Sequence, residues 1–124
     1  MTGKPKAVLV VDDDADLLRM VELILDGEGY RVITAGEGLE ALTKVAQEMP
    51  AVILLDMKMP IMDGWEFARE FRARHDRLAP IVVLTAAEDA RLRAQEIAAE
   101  GYLGKPFDID DLLEIIKSYV DSRT

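Results

Sequence analysis

The sequence predicts an α/β fold, a single doubly wound (βα)5 domain built on a central five-stranded parallel sheet. Continuous apolar runs of strand length recur along the chain and end in turn residues, as in strands that are buried on both faces. Between these runs lie segments whose apolar residues recur at helical spacing. This alternation is typical of helices that cover both faces of a parallel sheet through right-handed crossovers.

The first half of the chain supplies three strands and two helices. The strands are predicted at residues 7–11, 31–35 and 52–56. Apolar residues at helical spacing follow the first strand between Leu17 and Leu25, and Asp14 is placed to cap that helix. A second amphipathic helix runs from Leu39 to Ala46. The third strand is the organising element, because its apolar run ends in the carboxylate of Asp56.

The second half continues the pattern. A third helix is centred on residues 67–71, a fourth strand covers residues 80–85, and a short fifth strand includes Tyr102. Residues 88–100 predict a fourth helix whose apolar side is thin, consisting of Ala94, Ile97 and Ala98. Residues 109–120 predict a well-patterned last helix. We therefore expect one domain over residues 1–124, with its core at about 6–120 and without an output domain.

The composition excludes several classes of protein. The chain has no cysteine and one histidine, His75, which argues against disulfides, thiol chemistry and histidine-based metal sites. A formal net charge of -9 argues against direct binding of nucleic acid. The apolar run near the N-terminus is too short for a signal peptide or a membrane span. We expect a cytoplasmic protein that does not insert into membranes.

Polar residues gather where the strands of the predicted sheet end. Taken alone, Asp56 could be a metal ligand, a nucleophile or a helix cap. Asp12, Asp13, Thr85 and Lys105 also lie at or just after strand ends, and these ends converge at one edge of a parallel sheet. Clustered carboxylates and the absence of sulfur ligands favour a hard cation, Mg²⁺ before zinc or copper. A cation and Lys105 can neutralise a phosphoryl group, which makes Asp56 a candidate nucleophile.

The chain resembles the receiver domains of two-component response regulators over residues 6–120. Four motifs carry the resemblance: VLVVDDD at 8–14, LLDMKMPIMDG at 54–64, VVLTA at 82–86 and YLGKPF at 102–107. The resemblance implies a flavodoxin-like, CheY-like fold with strand order 2-1-3-4-5. It also implies that Asp56 accepts a phosphoryl group from a histidine kinase or a histidine phosphotransfer protein. No catalytic turnover is expected beyond self-phosphorylation and self-dephosphorylation.

The same resemblance assigns roles to the other residues of the cluster. It implies that Mg²⁺, or Mn²⁺ in its place, is held by Asp12, Asp13, Asp56 and the backbone carbonyl of Lys58. Lys105 and Thr85 contact the phosphoryl group, and the peptide bond from Lys105 to Pro106 is cis. Thr85 and Tyr102 form the switch pair. The switch acts on a downstream protein at the face of the fourth helix, fifth strand and fifth helix, in a monomer or weak dimer.

The chain departs from the family pattern in one region. The segment from Thr85 to Lys105 is about two residues shorter than usual, and Ala98 and Gly101 replace a common glycine and acid. We therefore expect a shorter or shifted fourth helix. Lys58 lies where the family tunes the lifetime of the phosphate, and its side chain either screens the acyl phosphate or points into solvent.

Other interpretations predict different chemistry. The VLVVDDDAD segment is also similar to the opening motif of haloacid-dehalogenase-type phosphatases. In that interpretation Asp12 is the nucleophile and Asp14 is the acid/base. Thr85 and Lys105 are then the threonine and the lysine of the later motifs. A flavodoxin-like protein that binds a flavin is another alternative, but this chain lacks the hydroxyl-rich phosphate loop of that class. A receiver excised from a larger DNA-binding regulator or hybrid kinase is a further alternative. Gly36 and Gly38 fit a plain turn better than a dinucleotide site, because Glu37 would repel the phosphates.

Overall fold

A computed structural model describes residues 6–120. Within that range five strands alternate with five helices. The strands are β1 (Val8–Val11), β2 (Val32–Ala35), β3 (Val52–Leu55), β4 (Ile81–Ala86) and β5 (Gly101–Lys105). The helices are α1 (Ala15–Gly27), α2 (Gly38–Gln47), α3 (Gly64–His75), α4 (Ala87–Glu96) and α5 (Ile109–Val120). None of these helices is long and apolar enough to cross a bilayer.

The strands form one parallel sheet in the order β2-β1-β3-β4-β5. β1 lies between two partners, so that Val8 is paired with both Val32 and Val52. Every residue of β1 and β3 is buried. This burial explains why these strands are continuous apolar runs and do not alternate with polar residues. The predicted fold class and strand order are both confirmed.

The sheet separates two hydrophobic cores. Alternate residues of a strand point to opposite faces, so β1, β3 and β4 each contribute to both cores. One core packs against α1 and α5 and contains Val10, Leu54, Leu84, Leu103 and Leu112. The other packs against α2, α3 and α4 and contains Leu55, Phe67, Phe71, Val83 and Ala94. These faces are called the α1/α5 face and the α4 face below.

Acidic side chains begin three of the helices. Asp14 caps α1 by accepting hydrogen bonds from the backbone N–H groups of two first-turn residues, as predicted. Glu37 caps α2 in the same way, which fits a turn and leaves no cradle for a dinucleotide phosphate. Asp63 caps α3 through the N–H of Glu66 at 2.9 Å. This last cap fixes the loop that follows Asp56.

The fourth helix is shorter than its pattern predicts. We expected it to reach Glu100, but α4 ends at Glu96. Arg72 and Arg77 of the α3 end both donate hydrogen bonds to the carbonyl of Ala98, each at 3.1 Å, and so cap the chain as it leaves α4. Ala98 has a positive φ of 50° and is exposed, so it does not belong to the apolar side of the helix. The shortening agrees with the departure from the family pattern.

Candidate functional site

Strand alternation brings three charged side chains together at the carboxyl edge of the sheet. Asp12, Asp56 and Lys105 each lie two positions after a strand residue that packs in the α1/α5 core. These preceding residues are Val10, Leu54 and Leu103. Because side chains repeat with a period of two along a strand, all three charged groups project on the same side of the sheet. The predicted convergence is therefore a product of strand register.

Lys105 is the cation of this group. Its Nζ atom lies 2.7 Å from Asp12 Oδ2 and 4.0 Å from Asp56 Oδ2. The peptide bond from Lys105 to Pro106 is cis, as the resemblance implies. The second oxygen of Asp12, Oδ1, accepts a hydrogen bond from the N–H of Asp14 at 2.9 Å. Asp12 is completely buried and both of its oxygens have partners, which disfavours it as a phosphatase nucleophile.

Asp56 is a buried carboxylate with incomplete compensation of its charge. It is 6% exposed, and its Oδ1 atom accepts a hydrogen bond from the N–H of Met57 at 2.8 Å. Burial raises its pKa to about 6, the negative charge of Asp12 adds to the rise, and Lys105 opposes it. At pH 7 the ionised form prevails by roughly ten to one. Asp56 is thus mostly ionised, although burial and the charge of Asp12 destabilise the ionised form. An added positive charge nearby would reduce this destabilisation.

Three carboxylates converge closely enough to share a cation. Oxygen atoms of Asp12, Asp13 and Asp56 all lie within 4.8 Å of one another. Asp13 is exposed, so it forms the solvent side of the cluster, while the other two form its floor. A set of oxygen donors without nitrogen or sulfur suits a hard divalent cation. The side chain of Lys58 is exposed.

Thr85 and Tyr102 lie on the opposite side of their strands from the charged cluster. Thr85 follows Val83, and Val83 packs in the core on the α4 face. Tyr102 pairs with Val83 in the sheet, and its side chain lies in a cleft bordered by α4. Thr85 is buried, whereas Tyr102 is 48% exposed. The predicted switch pair therefore faces α4, with its aromatic member turned outward.

The loop after Asp56 is fixed by two glycines that the sequence reading did not assign to the site. The N–H of Gly64 donates to the carbonyl of Met57 at 2.8 Å, and a Cβ atom at Gly64 would lie 2.7 Å from the Asp56 carbonyl. The N–H of Gly38 donates to the carbonyl of Met62 at 2.9 Å, and the same crowding would result from a Cβ there. Both positions exclude any other residue without a shift of the loop.

Trp65 connects this loop to α4. Its Nε1 donates to Glu96 Oε1 at 2.9 Å, and the Arg93 guanidinium carbon lies 5.4 Å from the ring centroid. Both partners belong to α4, so the indole is attached to that helix through a hydrogen bond and a cation–π contact. The only sequence signal for this contact is a lone tryptophan directly after Gly64.

Known proteins resemble this chain over most of its length. A family model described as "Response regulator receiver domain" matches residues 8–117. The chain is 33% identical to "Sporulation initiation phosphotransferase F" of Bacillus subtilis over 94% of this chain and 95% of that protein. It is 39% identical to "Probable transcriptional regulator ycf27" of Pyropia yezoensis over 95% of this chain and 49% of that protein.

A solved structure shares the fold over nearly the whole chain. The chemotaxis protein CheY4 of Vibrio cholerae superposes with a TM-score of 0.83 and 34% sequence identity, covering 94% of this chain and 99% of that one. The chain spans about half the length of the ycf27 proteins that it matches. The similarity to those regulators is therefore limited to about half of their length.

Proposed function

The chain belongs to the response regulator receiver domain family, and from that premise we propose that Asp56 is its phosphoacceptor. The observation that carries the proposal is the placement of Asp56, a buried carboxylate 4.0 Å from Lys105 and beside two further acids. A carboxylate oxygen of Asp56 attacks the phosphorus of a phosphohistidine. The P–N bond breaks, its electron pair stays on the imidazole nitrogen, which takes up a proton from solvent, and an acyl phosphate forms on Asp56.

The residues around Asp56 fit a divalent cation, and we propose Mg²⁺, with Mn²⁺ as a substitute. Asp12, Asp13, Asp56 and the backbone carbonyl of Lys58 would hold it. The ion supplies positive charge that neutralises the phosphoryl oxygens during transfer. Lys105 adds a second positive charge from the protein, and the Thr85 hydroxyl donates a hydrogen bond. The protein contributes position and charge to a transfer that needs little other help.

The proposed output is a change of the face made by α4, β5 and α5. A phosphoryl group on Asp56 draws Thr85 toward the charged cluster and lets Tyr102 turn inward from its exposed position. Such a switch shifts an existing equilibrium, and complete reversal of a 1:99 ratio needs about 5.5 kcal/mol of differential interaction. A downstream protein that binds this face reads the change. The proposal places these events in the cytoplasm.

A candidate docking surface for the phosphodonor lies on α1 and the start of α5, beside the site. Met20, Leu23 and Ile109 are large apolar residues that are 44%, 66% and 54% exposed. A groove of about 520 Å³ connects Met20 to Lys105 and Phe107, and thus to the charged cluster. Exposed apolar clusters of this kind often mark protein contacts. We propose that the histidine kinase or histidine phosphotransfer protein docks here.

The proposal is tested by phosphorylation with a small donor. Wild-type protein incubated with acetyl phosphate and Mg²⁺ should gain the mass of one phosphoryl group, and Asp56→Asn should gain none. Beryllofluoride with Mg²⁺ should change the emission of Trp65 in the wild type only. Leu23→Asp should accept phosphate normally from acetyl phosphate but slowly from a protein donor. An adduct that forms equally on Asp56→Asn would refute Asp56 as the acceptor.

A further inference from the structure

The start of α4 lies unusually close to β5. β4 ends at Ala86 and α4 begins at Ala87, with no connecting residue between them. A Cβ atom at Gly104 would lie 2.5 Å from the Ala87 Cα and 2.7 Å from its Cβ. Distances below 3.0 Å to backbone atoms do not occur in real structures, so only glycine permits this contact. Gly104 is therefore a seat on which the first residue of α4 rests.

The seat lies between the two members of the switch pair. Gly104 is paired with Thr85 in the sheet, and Tyr102 is two residues earlier on the same face of β5. The path from the exposed Tyr102 to Thr85 therefore passes over Gly104, where Ala87 rests. Thr85 is also separated from Ala87 by only one residue in the sequence. Ala87 therefore lies beside the path of both movements of the proposed switch.

The first turn of α4 is the partner that yields. β5 is held along β4 by five successive residue pairs, and Lys105 at its end is ion-paired with Asp12. In contrast, no described side chain caps α4, and both Ala87 and Glu88 are exposed. A helix start without a side-chain cap lacks the stabilisation that such a cap supplies.

On the basis of the proposed function, we infer that Gly104 is a positioning residue that holds the receiver in its unphosphorylated state. It acts by seating Ala87 between Tyr102 and Thr85. Phosphorylation of Asp56 lifts the first turn of α4 from this seat, and the rest of the switch follows. A methyl group at position 104 should lift the same turn without a phosphoryl group.

Trp65 reports the movement, because its indole is bound to Glu96 and faces Arg93 on α4. Gly104→Ala should shift the Trp65 emission of the phosphate-free protein toward that of beryllofluoride-bound wild type. The concentration of beryllofluoride needed for half-saturation at fixed Mg²⁺ should fall roughly fivefold, the lower range of allosteric coupling. Gly27→Ala is the matched control, because no described atom lies within 4 Å of a Cβ there. It should leave both quantities unchanged.

The outcomes separate the inference from the proposed function. A wild type that does not respond to beryllofluoride refutes the proposed function, and the inference falls with it. The inference alone is refuted if the wild type responds to beryllofluoride but Gly104→Ala has the emission of phosphate-free wild type. It is also refuted if Gly104→Ala needs a higher concentration of beryllofluoride for half-saturation. Should Gly104→Ala not fold, Ala87→Gly decides, since it removes the methyl that overlies the seat and adds no overlap. It should lower the half-saturation concentration about twofold, and an unchanged value overturns the inference.

Discussion

Replacing Asp56 by asparagine should stabilise the metal-free protein at neutral pH. In the fold, burial and the charge of Asp12 raise the pKa of Asp56 from 3.8 to about 6. Between pH 3.8 and about 6, Asp56 therefore keeps its proton in the folded state but has released it in the unfolded chain. The stability that this provides is complete below pH 3.8 and is lost as the pH rises through 6. Above pH 6 the ionised carboxylate opposes folding, and asparagine removes that opposition.

The size of the effect follows from the two pKa values. Each pH unit between them corresponds to 1.36 kcal/mol, so the ionised carboxylate lowers the free energy of unfolding by up to about 3 kcal/mol. Asp56 is only 6% exposed, so water screens little of this. For a domain of this size the variant should melt roughly 10 °C higher than wild type at pH 8.

Urea unfolding in EDTA at several pH values measures this difference. The free energy of unfolding of Asp56→Asn should exceed that of wild type at pH 8, and the gap should narrow as the pH falls below 6. Asp110→Asn, which removes an exposed carboxylate on α5, should change stability by less than about 0.5 kcal/mol at any pH. Equal stability of Asp56→Asn and wild type at pH 8 would refute the electrostatic reasoning.

Three further predictions follow from the same structure. Mg²⁺ should raise the melting temperature of the wild type. Asp13→Asn should lose this response and should not be phosphorylated, yet its metal-free form should be slightly more stable than the metal-free wild type. A metal-free melting temperature of Asp13→Asn below that of wild type would contradict this prediction. Ala98→Gly should raise the urea midpoint, with a gain of about 0.5 kcal/mol or more, because the positive φ of 50° strains alanine; an unchanged midpoint would count against strain there. Lys58→Ala should change the rate at which the acyl phosphate is lost, measured by intact mass over time, and an identical half-life would show that its exposed side chain does not screen the bond.

The sequence alone predicted the layers of the fold and the convergence of the charged residues. Apolar runs identify buried strands because a parallel sheet excludes polar residues from both faces. Asp12, Asp56 and Lys105 could be brought together because each lies at or just after the end of a predicted strand. The strand order came from the family resemblance, since periodicity does not state which strands are neighbours.

Other features required the three-dimensional structure. The helical pattern continues past Glu96, but α4 ends there, because Ala98 adopts a positive φ of 50° and the N–H of Ala99 bonds back to the Ala94 carbonyl. Arg72 and Arg77 then bind the Ala98 carbonyl beyond the helix. In the sequence these arginines fit an ordinary helix end, where they complement the dipole. The role of Gly104 depends on a contact with Ala87, seventeen positions earlier, that no local pattern contains. Long-range contacts of this kind were invisible to sequence periodicity.

The division of β4 and β5 between two faces limits how this chain can vary in length. Insertion or deletion of one residue within either strand would exchange its faces. Lys105 would then turn toward α4, and Tyr102 would turn toward the acids. Changes of length can be absorbed only between the strands, where no register is set. The shortening of this chain falls there, in the segment that forms α4, and so it leaves the faces of Lys105 and Tyr102 unchanged.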